Sequence, residues 1–151
     1  MSEIMNFLKL NAKIFRNAQV YLDRILKKYE LSSGTFRYLF ILEMNEGISQ
    51  NKLSRAVGND KAMSSRTVMK LMESGYIRKE EDKKDARGCN LYLTDKAREI
   101  IPKLHEELEA FENLITIDLT ESEKSIVVNS LFKVFQNTQK AIEKGGVEIG
   151  E

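Results

Sequence analysis

Residue types that commonly do chemistry or interrupt a chain are nearly missing here. Cys89 is the one cysteine, His105 the one histidine and Pro102 the one proline, and there is no tryptophan. A single cysteine excludes an intramolecular disulfide and a cysteine-rich zinc site. A single histidine removes the paired-histidine metal motifs such as H-E-x-x-H. No glycine-rich phosphate loop or nucleophile elbow occurs, so an enzyme is not expected. No run approaches the roughly 18–20 apolar residues that span a bilayer. Met1-Ser2-Glu3-Ile4-Met5-Asn6 lacks the basic start and apolar stretch of a secretory signal. An excess of one charge is also absent: 24 Lys and Arg stand against 23 Asp and Glu, a formal net charge of +1. The whole molecule therefore projects no field toward or against a polyanion. These absences predict a cytoplasmic, reduced protein without metal, cofactor or membrane partner.

With 42% hydrophobic residues in 151, one domain with a real core, or a compact domain plus an extension, is expected. One proline and eight glycines favour long helices. Apolar residues from Phe7 to Tyr29 fall on one helical face. A second helix is expected over Ser33–Asn45, stopping at Gly47. Ser49 reads as the cap of a helix over Gln50–Val57, and Gly58-Asn59-Asp60 as a turn and cap for another over Lys61–Ser74. Gly75 sits where a C-terminal glycine belongs.

Beyond Gly75 the period changes to that of strands, Tyr76–Glu81 and Cys89–Leu93, around a charged turn, Asp82 to Gly88. Thr94 caps a helix whose apolar residues Ala97, Ile101, Leu104, Leu108, Phe111 and Ile115 form a heptad-like stripe, with a mild kink expected at Pro102. Thr120-Glu121-Ser122-Glu123 is a capping box for a last helix carrying Val127, Leu131, Val134, Phe135 and Ile142. The class is mainly α with a small β-hairpin wing (α+β).

A helix–turn–helix followed at once by a hairpin is the winged-helix arrangement, in which the second helix enters a DNA major groove and the hairpin reaches a minor groove or the backbone. Ser64, Val68 and Leu71 share an inward face of that helix. Lys61, Ala62, Ser65, Arg66, Met69 and Lys70 point elsewhere, with small residues allowing close approach and cations available for phosphates and bases. Lys83 and Lys84 stand in the hairpin turn. Charge is distributed to match: residues 50–90 carry a net +4, residues 1–49 a net +2 and residues 91–151 a net −5.

Asp82-x-x-Asp85-x-Arg87 followed by Leu91-Tyr92-Leu93-Thr94 resembles the wing signature of the MarR family of winged-helix transcriptional regulators. Ser65-Arg66 matches the family's Thr-Arg pair, and Leu71-Met72-Glu73-Ser74-Gly75-Tyr76-Ile77 its passage from reading helix to wing. Three positions depart from the pattern: Ala86 and Lys79 where arginine is common, and Ala97 where glycine is common.

The resemblance implies a homodimeric double-stranded-DNA-binding regulator, most simply a repressor, on a pseudo-palindromic operator. It implies an N-terminal dimerisation helix over 1–32, a winged helix–turn–helix over 33–97, C-terminal dimerisation helices over 98–145 and a frayed tail over 146–151. DNA contacts would come from Lys61, Ser65, Arg66, Lys70, Lys83, Lys84 and Arg87. Arg87 would enter a narrow A·T-rich minor groove, and Asp85 would brace the wing by pairing with Lys79 or Arg87. A small aromatic or anionic effector is implied as well. Phe15, Tyr38 and Phe40 are candidates for its pocket and equally good core residues.

Two other readings were weighed. A helical adaptor would explain the terminal stripes but not the basic centre. A thiol-sensing regulator using Cys89 gains from the neighbouring cations, yet the family's peroxide-sensing cysteine lies near the N-terminus, where this chain has none. His105, beside Glu106 and Glu107, reads as a surface or interface residue.

Overall fold

In the computed structural model, residues 3–84 and 88–145 are described, with side chains from residue 6 onward. The elements follow the expected order: α1 (Glu3–Leu26), a 3-10 turn (Lys27–Tyr29), α2 (Phe36–Met44), α3 (Gln50–Val57), α4 (Lys61–Glu73), β1 (Ile77–Glu81), β2 (Cys89–Leu93), α5 (Asp95–Ile115) and α6 (Glu121–Lys144). The frayed tail expected over 146–151 lies outside the described residues. Two compact units divide the chain, Met1–Leu104 and His105–Glu151.

The helices begin where polar caps place them. Ser49 accepts from the Lys52 N–H at 3.2 Å, Asp60 from Met63 at 2.7 Å, and Thr120 from Glu123 at 3.1 Å. The Glu123 carboxylate reaches back to the Thr120 N–H at 3.2 Å and completes the capping box. Two expected boundaries move. The first helix ends at Leu26 because Glu30 turns left-handed, with φ 58°, and closes the chain onto Lys27. The second starts at Phe36 rather than Ser33. There the Thr35 hydroxyl accepts from the Ser32 N–H at 2.8 Å, and Asp23 takes the Ser33 N–H at 2.7 Å. The Thr35 and Phe36 N–H groups both return to the Ser32 carbonyl, at 3.1 and 3.2 Å, so residues 33–35 form a tight turn ahead of the helix. The long helix α5 runs unbroken through Pro102.

The core of the first unit gathers Leu26, Tyr38, Leu39, Leu42, Leu53, Val68, Leu71, Leu91, Ile101 and Leu104, all at or near full burial. β1 and β2 pair antiparallel, Ile77 opposite Leu93 through Glu81 opposite Cys89. A third segment joins them: Gly47 donates to the Leu91 carbonyl at 2.9 Å and Leu91 to that of Ile48 at 2.9 Å. The inner edge of the hairpin is thereby covered.

The stripe on α5 divides. Ala97, Ile101 and Leu104 are buried, Leu108 and Phe111 half-buried, and Ile115 is 55% exposed. In the second unit α6 has no buried residue at all.

Where α4 meets the wing, Gly75 takes φ 82°, and the Thr94 hydroxyl donates to the Gly75 carbonyl while accepting from the Ala97 N–H at 3.2 Å. One side chain thus ties the end of α4 to the start of α5. Next to it, Tyr76 is buried, its hydroxyl donating to the Tyr29 carbonyl at 2.5 Å. The Lys96 ammonium lies 4.6 Å from its ring centre and donates to the Ser74 carbonyl at 2.6 Å.

Burial, with smaller repulsion from Glu30 and Tyr29, raises the Tyr76 phenol above its ordinary value. A raised folded value means that the unfolded chain ionises first. The stability is therefore complete below pH ~10 and falls as pH rises through the folded value. Tyr76→Phe should lose ~1 kcal/mol at neutral pH with the hydrogen bond and show a shallower loss above pH ~10. Denaturant midpoints from pH 7 to 11 measure both; parallel alkaline curves for the two proteins would contradict the assignment.

Candidate nucleic-acid interface

The two helices of the central motif are held at a turn built from few atoms. Gly58 takes φ 83°, a left-handed conformation that favours glycine, and its N–H bonds back to Ser54 and Arg55. The Ser54 hydroxyl crosses the turn to the Asn59 carbonyl at 2.9 Å. The Asn59 side-chain amide donates to the Tyr38 hydroxyl at 2.9 Å, and that hydroxyl shares a 3.1 Å hydrogen bond with Ser64 of α4. Tyr38 and Ser64 are both buried. One phenol on α2 therefore joins the turn to α4.

The outward side of α4 follows from that anchoring. Ser64, Val68 and Leu71 face the core, and Asp60 caps the N-terminus. Lys61, Ala62, Arg66, Met69 and Lys70 are exposed and Ser65 is half-buried. Four of the sequence-derived candidates, Lys61, Ser65, Arg66 and Lys70, thus share one helix whose other face is fixed.

Lys83 and Lys84 are exposed at the wing. The Asp82 carboxylate accepts from the Lys84 N–H at 2.9 Å, and the Asp82 N–H donates to the Gly88 carbonyl at 3.0 Å. Asp85 and Arg87, the expected brace and minor-groove residue, lie outside the described residues.

An open groove of about 990 Å³ separates the wing from the start of α3, and its lining mixes Lys52, Lys83 and Lys84 with Glu46, Glu80, Glu81 and Asp82. Lys52 belonged to the basic segment in the sequence, but only the fold brings it beside the wing lysines. Arg78 is differently engaged: its guanidinium lies 4.6 Å from the Tyr92 ring centre and pairs with Glu80.

A second cavity, about 390 Å³, lies among α1, the α2 entry and α4. Phe15, Leu22, Arg37, Asn59, Met63 and Thr67 are among the residues lining it. Of the three aromatic residues considered from sequence, Phe15 lines this space. Tyr38 is core, and Phe40 is half-buried with its ring 5.5 Å from that of Phe36. Cys89 is half-buried in β2, and His105 is exposed. Among the described residues no three His, Cys, Asp or Glu side chains gather as a metal site, and no helix is long and apolar enough to cross a membrane.

The MarR family model matches residues 31–89, from just after the 3-10 turn to the start of the second wing strand. The HTH-type transcriptional regulator BilQ of Clostridioides difficile is 30% identical over 129 residues, 85% of this chain and 86% of the relative. The chain belongs to the MarR family. A MarR protein from Peptoclostridium difficile superposes with a TM-score of 0.85 at 31% identity, over 92% of this chain and 91% of its own. A MarR-family regulator from Listeria monocytogenes, solved in complex with a 26-mer DNA, gives 0.80 at 26% identity, over 93% and 95%. The fold is thus the MarR winged helix, and the protein is a DNA-binding transcriptional regulator. The relatives are named as regulators rather than enzymes.

In this MarR protein Tyr38 carries the turn. Tyr38→Phe keeps the ring but leaves the Asn59 amide and Ser64 hydroxyl without their common partner, which should cost ~1–3 kcal/mol. Urea midpoints compared with the wild type measure it. An unchanged midpoint would show that the phenol is not what fixes the turn.

Proposed function

We propose that this MarR-family protein is a homodimeric repressor on a pseudo-palindromic operator, released by a small aromatic or anionic effector. The observation that carries the reading is the one-sided burial of α4. Its inner face is anchored through Ser64, Val68 and Leu71 while Lys61, Arg66 and Lys70 stand in solvent.

Ser65 and Arg66 supply base-edge contacts, Lys61 and Lys70 phosphate contacts, and Lys83, Lys84 and Arg87 contacts from the wing. Asp85 braces the wing tip. Support for duplex DNA as the partner comes from the Listeria relative complexed with a 26-mer DNA.

The dimer is supported by the terminal helices. Leu8, Leu10, Ile14 and Phe15 of α1 are 52–60% exposed, and Ile126, Val128, Phe132 and Phe135 of α6 are 54–61% exposed. Apolar surface of that extent marks an interface, and a second copy of the chain offers matching helices. Residues 1–32 and 98–145 serve as the dimerisation segments around the reading domain of 33–97. A two-fold dimer sets its reading helices about one DNA turn apart.

The effector fits the smaller cavity, where Phe15, Leu22, Val57 and Met63 offer apolar wall and Arg37 a guanidinium. Met63 and Thr67 belong to α4, so an occupant that touches them differently in the bound and free states shifts the DNA equilibrium. The protein acts in the cytoplasm.

With about four phosphate contacts per subunit, log K against log salt for a duplex operator should slope near −7, and Arg87→Ala should weaken binding by about 1–3 kcal/mol per half-site. A slope near zero would end the DNA reading; an unaltered slope and affinity in folded Arg87→Ala would remove the wing from it. Leu131→Glu and Phe135→Glu should convert the dimer to monomer in sedimentation, and a folded wild-type monomer at micromolar concentration would overturn the interface.

A further inference from the structure

The exposed face of α4 is not uniformly polar. Ala62, Ser65, Arg66 and Met69 are spaced i, i+3, i+4 and i+7, which places them on one face. That face lies opposite Ser64, Val68 and Leu71, which are at most 1% exposed. Met69 is 55% exposed there.

The other exposed methionines of α4 are placed differently. Met63 lines the 390 Å³ cavity, about 120° around the helix from Met69 at ~100° per residue. Met72, at 36%, stands in the last turn. Met69 packs into no core and sits three residues beyond Arg66, on the face that carries the helix's central cation.

A large apolar side chain on such a face has one natural counterpart in a major groove. The thymine 5-methyl is the single apolar group presented there, and it distinguishes A·T from the other pairs. The methionine side chain suits it: unbranched, polarisable and long enough to follow the groove floor without demanding one rotamer. Ala62, about 10 Å away along the helix, keeps the other end of the face low, so that the helix can seat deeply.

We propose that Met69 is a specificity-determining residue that reads a thymine methyl group in each operator half-site. The inference rests on α4 being the helix that enters the groove, and it adds a base identity to that reading.

The test uses the full-length protein and duplexes it selects from a randomised pool. Each thymine of the selected half-site is replaced in turn by deoxyuridine, which keeps the base pair and removes only the methyl group. At one thymine per half-site the wild type should lose about fourfold in affinity, and about fifteenfold when both half-sites are changed, the value of one buried methyl group each. Met69→Ala should bind the thymine and deoxyuridine duplexes equally while keeping the wild-type salt slope. Met69→Leu should restore most of the discrimination. Equal thymine-to-deoxyuridine ratios in wild type and Met69→Ala at every position would overturn the assignment, as would half-sites indifferent to the methyl throughout. Absence of any salt-dependent duplex affinity in the wild type would remove α4 as the reading helix and Met69 with it. An intact salt slope with no methyl effect removes Met69 alone.

Discussion

The outward face of α4 is only as well placed as the phenol of Tyr38 beneath the helix. That hydroxyl, buried on α2, meets the Asn59 amide of the turn at 2.9 Å and the Ser64 hydroxyl of α4 at 3.1 Å. A buried polar network specifies one arrangement strongly, because any shift leaves several groups unpaired at once. Apolar packing through Val68 and Leu71 supplies attraction but tolerates sliding. The hydrogen bonds fix which residues of α4 face outward. Lys61, Arg66 and Met69 owe their exposure to a tyrosine on a different helix. Asn59 also lines the smaller cavity, so the turn that aims the helix touches the space in which an effector is proposed to bind.

A different economy governs the second unit. The 24 residues of α6 bury nothing, and helices of that kind draw little stability from their own chain. Local devices are correspondingly complete: the Thr120–Glu123 capping box, Glu121 and Glu123 at the positive end of the dipole, Lys144 at the negative end, and a Lys124–Glu121 pair at 3.2 Å. They keep a helix formed and its apolar residues aligned although none of its side chains is buried. Charge is divided in the same spirit, with +4 over residues 50–90 and −5 over 91–151. The near-zero total conceals a basic central segment and an acidic C-terminal one.

Much of this was legible in the residues. Caps at Ser49, Asp60 and Thr120, glycines at Gly58 and Gly75, and the change of period after Gly75 are local signals, and the structure places elements accordingly. The inward set Ser64, Val68 and Leu71 followed from helical spacing alone. What escaped was non-local. Tyr38 reads equally as core or pocket wall and is core, but nothing in its neighbourhood announces its partners Asn59, 21 residues on, and Ser64, 26 residues on. Lys52 could not be placed beside the wing without the fold. The three-residue pairing at Gly47–Ser49 is too short to have a period. The start of α2 at Phe36 depends on a turn in which the Thr35 and Phe36 N–H groups share the Ser32 carbonyl, and helical spacing alone does not reveal it.

The covered inner edge of the wing leaves β1 as its only free border among the described strands. A protruding two-stranded ribbon invites further strands to pair along such a border, the first step toward aggregation. Here the strand has five residues, buried Ile77 followed by the exposed and charged Arg78, Lys79, Glu80 and Glu81. A parallel neighbour would set like charges together, an antiparallel one would match cations with carboxylates, and either would have to strip water from all four charged groups. The charged border thus makes edge pairing costly where no third strand covers the wing.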